Sequence, residues 1–279
     1  MRIDRLLVEA TARLAAAGSP TPRLDAEVLL GHVLGRERSW LYTWNDHGVE
    51  GFLRARFAAL IAARVVGEPV AYLTGEREFW GLALATHAAT LIPRPDTECL
   101  VETALALRPA TAQRVLDLGT GSGAIALALA SERPAWRVTG VDRIIEAVTL
   151  ASANARRLGI ANADFQVSDW FAALTDQRFE LIVANPPYLA EDDPHLALGD
   201  VRFEPRSALV AGGEGLADLH YLIGAARHYL ETEGWLLLEH GMAQGEAVRE
   251  ALNQAGYGAV ATRLDLAGRP RVSLGRRDD

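Results

Sequence analysis

This chain has a single cysteine, no long apolar run and no excess of positive charge. Cys99 is the single cysteine among 279 residues, so no internal disulfide can form and the Cys/His spacing of zinc sites is absent. No apolar run approaches the roughly 18 residues of a membrane-spanning helix, and charged residues near the start interrupt any signal-peptide core. Lys and Arg total 28 against 36 for Asp and Glu, which disfavours unspecific binding to phosphate backbones. We therefore expect a cytoplasmic protein with no metal site, no membrane association and no stably bound nucleic acid.

Two regions of different pattern follow one another along the chain. Residues 1–66 carry apolar residues at helical spacing, with a second helix expected to begin at Asp25. They predict a small helical domain, which serves either for packing or dimerisation or for recognising a macromolecular substrate. Residues 67–91, including a short strand at 70–73, predict a β-hairpin linker. Residues 92–279 alternate strands and helices, which indicates an α/β fold with a doubly wound, mostly parallel sheet.

A glycine-rich turn follows the first strand of this alternation and points to a nucleoside-type cofactor. The glycines permit a tight turn and let a ligand approach the backbone, and three residues fit the dinucleotide pattern G-x-G-x-x-A. A tight strand-to-helix connection without any ligand would show the same pattern. The turn reads Asp117-Leu118-Gly119-Thr120-Gly121-Ser122-Gly123-Ala124.

Two carboxylates help to separate the candidate cofactors. Asp142 ends the next predicted strand, where its oxygens could accept hydrogen bonds from ribose hydroxyls. Asp117 ends the first strand, where a negative charge would repel a pyrophosphate but attract a sulfonium or an amino group. S-adenosylmethionine is therefore favoured over NAD. Trp170 follows a further strand and either walls the adenine ring or packs in the core.

A pair of prolines ends the apolar run at residues 181–184. Because proline cannot continue a strand ladder, Asn185-Pro186-Pro187-Tyr188 must leave the sheet at the carboxyl end of a strand, where open α/β sheets bind ligands. An amide nitrogen is a poor nucleophile, since its lone pair is delocalised into the carbonyl. The Asn185 side-chain oxygen and the Pro186 carbonyl could accept its two hydrogens, and Tyr188 could stack on the planar amide. The pattern predicts an enzyme that transfers a methyl group to an amide nitrogen.

Together these residues closely resemble the release-factor glutamine methyltransferases, the PrmC/HemK family, over nearly the whole chain. Asn-Pro-Pro-Tyr is shared with amino-methylating DNA enzymes, whereas the proline-rich segment near residue 93 and the run near residue 203 are more particular to this family. The motifs that carry the resemblance, besides the glycine turn and Asn-Pro-Pro-Tyr, are Leu73-Thr74-Gly75-Glu76-Arg77-Glu78-Phe79, Ile92-Pro93-Arg94-Pro95-Asp96-Thr97-Glu98, Val141-Asp142-Arg143, Arg202-Phe203-Glu204-Pro205 and Leu238-Glu239-His240-Gly241.

The resemblance implies a helical bundle joined by a β-hairpin to a seven-stranded methyltransferase domain. It implies that S-adenosylmethionine methylates the side-chain amide of the glutamine in the Gly-Gly-Gln motif of class I peptide chain release factors, leaving S-adenosylhomocysteine. Gly119 to Gly123, Asp142, Trp170 and Asn185 would contact the cofactor, and Asn185 to Tyr188 would contact the target glutamine. Within this last group Asn185, Pro186 and Tyr188 would be catalytic.

Three other functions remain as alternatives. An N6-adenine or other nucleic-acid amino methyltransferase is disfavoured by the acidic balance and by the lack of a target-recognition domain. A dinucleotide-dependent oxidoreductase is suggested only by the formal glycine pattern, and a non-catalytic ligand-binding regulator comes last. Glu239 and His240 could look like an acid/base pair, but a strand-end turn with a hydrogen-bonded histidine is favoured. We also expect a monomer.

Overall fold

The computed structural model describes all residues 1–279 and divides them into two compact units. The helical unit comprises residues 1–76 together with 197–203, and the sheet unit comprises 77–196 together with 204–279. The first boundary therefore falls inside the predicted linker. Residues 197–203 belong to a long segment of the sheet region by sequence, yet they cluster with the helical unit.

The helical unit is built from five helices around an apolar core that includes Ile3, Leu7 and Leu30. The second helix begins at Pro22 rather than at the expected Asp25, because proline is well tolerated in the first turn, where its missing N–H would have no partner. The helices are α1 Ile3–Ala16, α2 Pro22–Leu34, α3 Arg38–Thr43, α4 Gly51–Val65 and α5 Val70–Thr74.

The expected strand at residues 70–73 is wrong, because this segment forms the helix α5. Pro69 precedes the helix, and Gly75 ends it with a left-handed backbone at φ 73°. Val70 and Leu73 pack against the core of the helical unit. Burial against that core thus outweighs the preference of valine and tyrosine for strands. The hairpin follows directly as β1 Glu76–Phe79 and β2 Leu82–Ala85.

The sheet unit contains a seven-stranded sheet that confirms the predicted architecture. Its order is β5-β4-β3-β6-β7-β9-β8, with parallel pairing from β5 to β7 and antiparallel pairing of β9 with both neighbours. The strands are β3 Arg114–Leu118, β4 Arg137–Asp142, β5 Ala163–Val167, β6 Phe179–Ala184, β7 Leu230–Glu239, β8 Gly258–Leu264 and β9 Pro270–Arg276, and the helices are α6 Glu98–Leu107, α7 Ala124–Glu132, α8 Ile145–Leu158, α9 Ala217–Ala226 and α10 Gly245–Gln254.

Helices cover both faces of this sheet because side chains alternate along each strand. In β3, Val115 packs in the layer that contains α6 and α7, whereas Leu116 and Leu118 pack in the layer that contains α9 and α10. The chain winds outward from β3 through β4 to β5 and then returns to place β6 on the other side of β3. This reversal opens a crevice at the carboxyl ends of the strands, the usual ligand site of such sheets. None of the helices combines the length and apolar character needed to cross a membrane.

A buried arginine joins residues 197–203 to the rest of the helical unit. Arg64 Nε lies 2.8 Å from Asp25 Oδ2, and Arg64 Nη1 lies 2.7 Å from Asp200 Oδ1. The Arg64 and Asp25 side chains are 9% and 7% exposed, whereas Asp200 is 36% exposed. Asp25 also accepts hydrogen bonds from the hydroxyls of Ser19 and Thr21.

We expect Arg64→Met to lower the free energy of unfolding by about 3 kcal/mol, because it leaves the Asp25 carboxylate buried without its cation. Asp200→Asn is the matched control, and it should cost no more than about 1 kcal/mol, since Asp200 is partly solvated and the Arg64–Asp25 pair survives. Denaturant unfolding of the full chain measures both. Equal losses in the two variants would contradict this account.

Candidate functional site

The crevice lies within the sheet unit, at the carboxyl ends of β3, β4 and β6. It contains eight of the predicted site residues, whereas four others do not line it. Those in the lining are Gly119, Thr120, Gly121, Ser122, Asp142, Trp170, Asn185 and Pro187. Asp117, Gly123, Pro186 and Tyr188 lie outside the lining.

The glycine turn combines one position open to a ligand with one position needed for packing. Gly119 has φ 72° and is exposed, and the ring of Trp170 lies 3.5 Å from where a Cβ on Gly119 would stand. Gly123 has φ 85°, is buried, and precedes α7; a Cβ there would approach Ala151 to 3.0 Å. The structure thus gives Gly123 a packing role between α7 and α8, and its predicted cofactor contact stays a prediction.

Asp117 lies beneath the turn rather than in the crevice and has no exposed surface. Its Oδ2 accepts hydrogen bonds from the Thr120 hydroxyl at 2.6 Å and the Ala126 amide at 3.3 Å, while Oδ1 has no hydrogen-bond partner. Burial raises the pKa of Asp117 to about 7, against the opposing effect of these two hydrogen bonds. Burying an acceptor that has no donor costs free energy. This cost is smaller if the Asp117 carboxyl group is neutral or if a cation lies nearby.

Asp142 is held at the end of β4 by two backbone amides. Its Oδ2 accepts from Gly121 at 3.0 Å and its Oδ1 accepts from Ile144 at 2.9 Å. These bonds fix the carboxylate against both the glycine turn and the start of α8. Each carboxylate oxygen has two lone pairs, so one on each remains for hydroxyl donors from the crevice.

Trp170 adopts an unusual backbone conformation that places its ring over Gly119. Its φ is 48°, which is rare for a bulky residue and persists only where neighbours impose it. Ser168 supplies this constraint, since its hydroxyl donates to the Trp170 carbonyl at 2.7 Å and accepts from the Ala173 amide at 3.0 Å. The indole is therefore a fixed, flat wall of the crevice.

The bend after β6 brings Asn185, one of the two predicted acceptors, into the lining of the crevice. Asn185 Nδ2 donates to Thr97 Oγ1 at 3.3 Å, which leaves Asn185 Oδ1 as a potential acceptor. Tyr188 is anchored through its carbonyl, which accepts from Gln244 Nε2 at 3.0 Å. The Tyr188 hydroxyl lies 3.5 Å from Glu239 Oε1, and burial raises the pKa of Tyr188 well above its usual range.

Two acidic residues to which sequence reasoning assigned no role at the site are buried near the crevice. Glu239 ends β7 and is 1% exposed. Burial raises the pKa of Glu239 to about 7, partly offset by a hydrogen bond from Thr97 and by the charge of Arg271. Glu204 is buried and forms an ion pair with Arg94 at 2.7 Å, which joins the proline-rich segment near residue 93 to the run near residue 203. An acidic residue at the end of an apolar strand was the available signal for Glu239.

The lining of the crevice suits a nucleoside with a charged tail. It combines free carboxylate lone pairs on Asp142, the flat face of Trp170 and the bare backbone of Gly119. Asp169, Asp218, Arg94 and Arg143 add charges of both signs to the walls. The structure contains no group of three or more His, Cys, Asp or Glu side chains that could hold a metal ion.

Two family models match the chain. The model described as "PrmC N-terminal domain" matches residues 5–75, and the model described as "Methyltransferase small domain" matches residues 95–216. Among solved structures, a methyltransferase from Pyrococcus furiosus is similar with a TM-score of 0.55 and 19% identity, covering 82% of this chain and 99% of that one. This likeness supports the fold alone.

Curated relatives are similar over almost their full length. The release factor glutamine methyltransferase of Vibrio cholerae is 54% identical over 98% of this chain and 96% of its own. That of Escherichia coli K12 is 52% identical over 99% of both chains. With this identity and coverage, the chain belongs to the release factor glutamine methyltransferase family.

Proposed function

We propose that the protein transfers a methyl group from S-adenosylmethionine to the side-chain amide nitrogen of the glutamine in the Gly-Gly-Gln motif of a class I peptide chain release factor. The product is S-adenosylhomocysteine, and the reaction belongs in the cytoplasm, where translation ends. Family membership supports the reaction class. The single observation that carries the chemistry is the Asn185 carboxamide, whose nitrogen is engaged by Thr97 beside the glycine turn.

The cofactor is proposed to lie in the crevice. Asp142 would accept hydrogen bonds from ribose hydroxyls, and Trp170 would wall the adenine. Thr120, Gly121 and Ser122 line the crevice and would approach the nucleoside closely. Bound there, S-adenosylmethionine supplies an electrophilic methyl group. Asp117 would act from beneath the turn through its charge rather than by direct contact.

The bend is proposed to hold and activate the target nitrogen. Asn185 Oδ1 and the Pro186 carbonyl would accept the two hydrogens of the glutamine NH₂, which turns the nitrogen lone pair away from them. The two prolines keep the backbone of this site rigid, since their φ angles are fixed. Tyr188 would stack on the planar amide, and Pro187 would shape the wall beside it.

The proposed reaction needs no strong general base. Nitrogen becomes cationic as the new bond to carbon forms, so its proton leaves readily afterwards to water or to the acceptors at the bend. The rate then depends mainly on alignment of the nitrogen with the methyl group, which a rigid bend provides. Asn185 is therefore the residue on which turnover depends most.

The direct test incubates the protein with methyl-labelled S-adenosylmethionine and either a release factor or DNA. Label should enter the release factor and should be lost when its Gly-Gly-Gln glutamine is replaced by alanine. Label only on DNA would contradict the proposal and favour a nucleic-acid methyltransferase. Turnover of a nicotinamide cofactor without methyl transfer would contradict both methyltransferase functions.

We expect Asn185→Ala to lower kcat by about 10²-fold or more, because the target nitrogen loses its alignment. Cofactor binding should be partly retained, as isothermal titration would show. Asn253→Ala, the same change at an exposed position of α10, is the control and should retain normal turnover. Near-normal kcat in Asn185→Ala would refute the assigned role.

Asp117 should also make stability depend on pH. Its folded-state pKa of about 7 lies above the value of about 4 in an unfolded chain. The stabilisation of the folded state that this raised pKa provides is therefore complete below pH ~4 and is lost as the pH rises through 7. We expect the unfolding free energy of Asp117→Asn, relative to the unsubstituted protein without cofactor, to rise by up to about 1.4 kcal/mol per pH unit between these limits.

Denaturant unfolding at several pH values measures this difference. The same substitution at the exposed Asp164 is the control for a surface carboxylate. Parallel stability curves for Asp117→Asn and the unsubstituted protein between pH 5 and 7 would show that Asp117 is charged in the folded state throughout.

A further inference from the structure

Behind the bend, the buried side chains of Thr97 and Glu239 continue a row of polar groups that begins at the half-buried Asn185. Asn185 Nδ2 donates to Thr97 Oγ1 at 3.3 Å, and the Thr97 hydroxyl faces the Glu239 carboxyl. Thr97 is 4% exposed and Glu239 is 1% exposed, so water does not substitute for these partners. Glu239 Oε2 has no hydrogen-bond partner and is therefore free to accept a hydrogen. Catalytic hydrogen bonds are often long before substrate binds.

The row of Asn185, Thr97 and Glu239 is called the relay. The carboxylate of Glu239 determines the direction of both hydrogen bonds in it. An ionised carboxylate can only accept, so the Thr97 hydroxyl must donate its one hydrogen to Glu239. The Thr97 oxygen is then left as an acceptor, and only the NH₂ end of the Asn185 carboxamide can satisfy it. Asn185 Oδ1 consequently faces the other way. A group that can itself donate in place of the carboxylate would remove this constraint.

The same carboxylate also faces Tyr188. The Tyr188 hydroxyl lies 3.5 Å from Glu239 Oε1, and it too must donate to an ionised acceptor. One buried carboxylate thus orients two of the four residues of the bend, one directly and one through Thr97.

We propose that Glu239 and Thr97 are positioning residues, which keep Asn185 Oδ1 presented to the amide nitrogen of the substrate. This inference rests on the proposed role of Asn185 and deepens it. If the hydrogen bonds of the relay ran in the opposite direction, the Asn185 carboxamide would be turned around. Its NH₂ would then face the NH₂ of the target glutamine, and two donors cannot hydrogen-bond to each other. Substrate nitrogen would then lack one of its two acceptors, although the shape of the pocket would be unchanged.

Four charged or titratable groups interact with Glu239. Asp96 lies on the turn before α6, Cys99 on α6, Tyr188 in the bend and Arg271 on β9. Arg271 is itself shared, since it contacts Asp96 at 3.0 Å as well as Glu239 through its charge. Burial outweighs the attraction of Arg271 and raises the pKa of Glu239 to about 7. The carboxylate form, and with it the constraint on Asn185, is therefore lost as the pH falls below neutrality.

The test of the hydroxyl compares Thr97→Val with Thr97→Ser in the full-length protein. Thr97→Val keeps the shape but removes the hydroxyl, and it should lower kcat at saturating substrates by about 10- to 100-fold. Thr97→Ser restores the hydroxyl and should recover most of the rate. Thr103→Val makes the same change at a similarly buried threonine of α6 and should leave kcat unchanged. Serine as poor as valine would overturn the role of the hydroxyl.

The test of the carboxylate is Glu239→Gln, which keeps the shape but can donate. The unsubstituted protein should show a fall in kcat below about pH 7, and Glu239→Gln should be slow at every pH without this fall. Asp117 has a similar pKa and could also produce a fall in kcat near pH 7. For this reason kcat is measured at saturating cofactor, and the fall is assigned to Glu239 only if it disappears in Glu239→Gln. Cofactor affinity from titration and unfolding midpoints show whether each variant is folded.

The outcomes separate this inference from the proposed function. Near-normal kcat in Thr97→Val and Glu239→Gln, together with a large loss in Asn185→Ala, would overturn the relay but keep the role of Asn185. Near-normal kcat in Asn185→Ala would remove the basis of both. An unchanged pH profile in Glu239→Gln would also overturn the relay, whatever the size of the rate.

Discussion

The point at which β6 stops is the constraint on which the rest of this site depends. Two prolines cannot join the ladder, so the chain leaves the sheet immediately after Ala184, at the edge where β3 and β4 also end. Because these strands are parallel, their carboxyl ends lie side by side, and this alone brings the glycine turn, Asp142 and Asn185 together. The site is therefore a consequence of topology first and of side-chain chemistry second.

Most of the architecture follows from patterns visible in the sequence. The strand–helix alternation predicted the parallel sheet, since a helix lies between β3 and β4, between β4 and β5, and between β6 and β7. The local exception is the segment at residues 70–73, whose residues favour strands but whose surroundings favour α5. Packing of Val70 and Leu73 against the helical core is a property of the folded chain and leaves no mark at that point of the sequence.

The site was predictable to the extent that its residues follow strands. Asp142, Trp170 and Asn185 were found because each lies at the end of a predicted strand or shortly after one, and the structure brings all three to one crevice. The sequence did not predict how deeply each of these residues is buried. Asp117 and Gly123 belong to the same turn as Gly119, yet the twist of that turn buries the first two and exposes the third. Glu239 is distant in sequence from the bend, and only pairing of β6 with β7 brings it close.

Because residues 197–203 cluster with the helical unit, a separable helical domain would have to include them. A fragment cut at the end of the first family match, residue 75, would keep Arg64 and Asp25 but lose Asp200. Such a fragment would be an incomplete protein rather than a minimal one. Exchange of helical domains between relatives would likewise have to transplant a short piece of the distant loop with them.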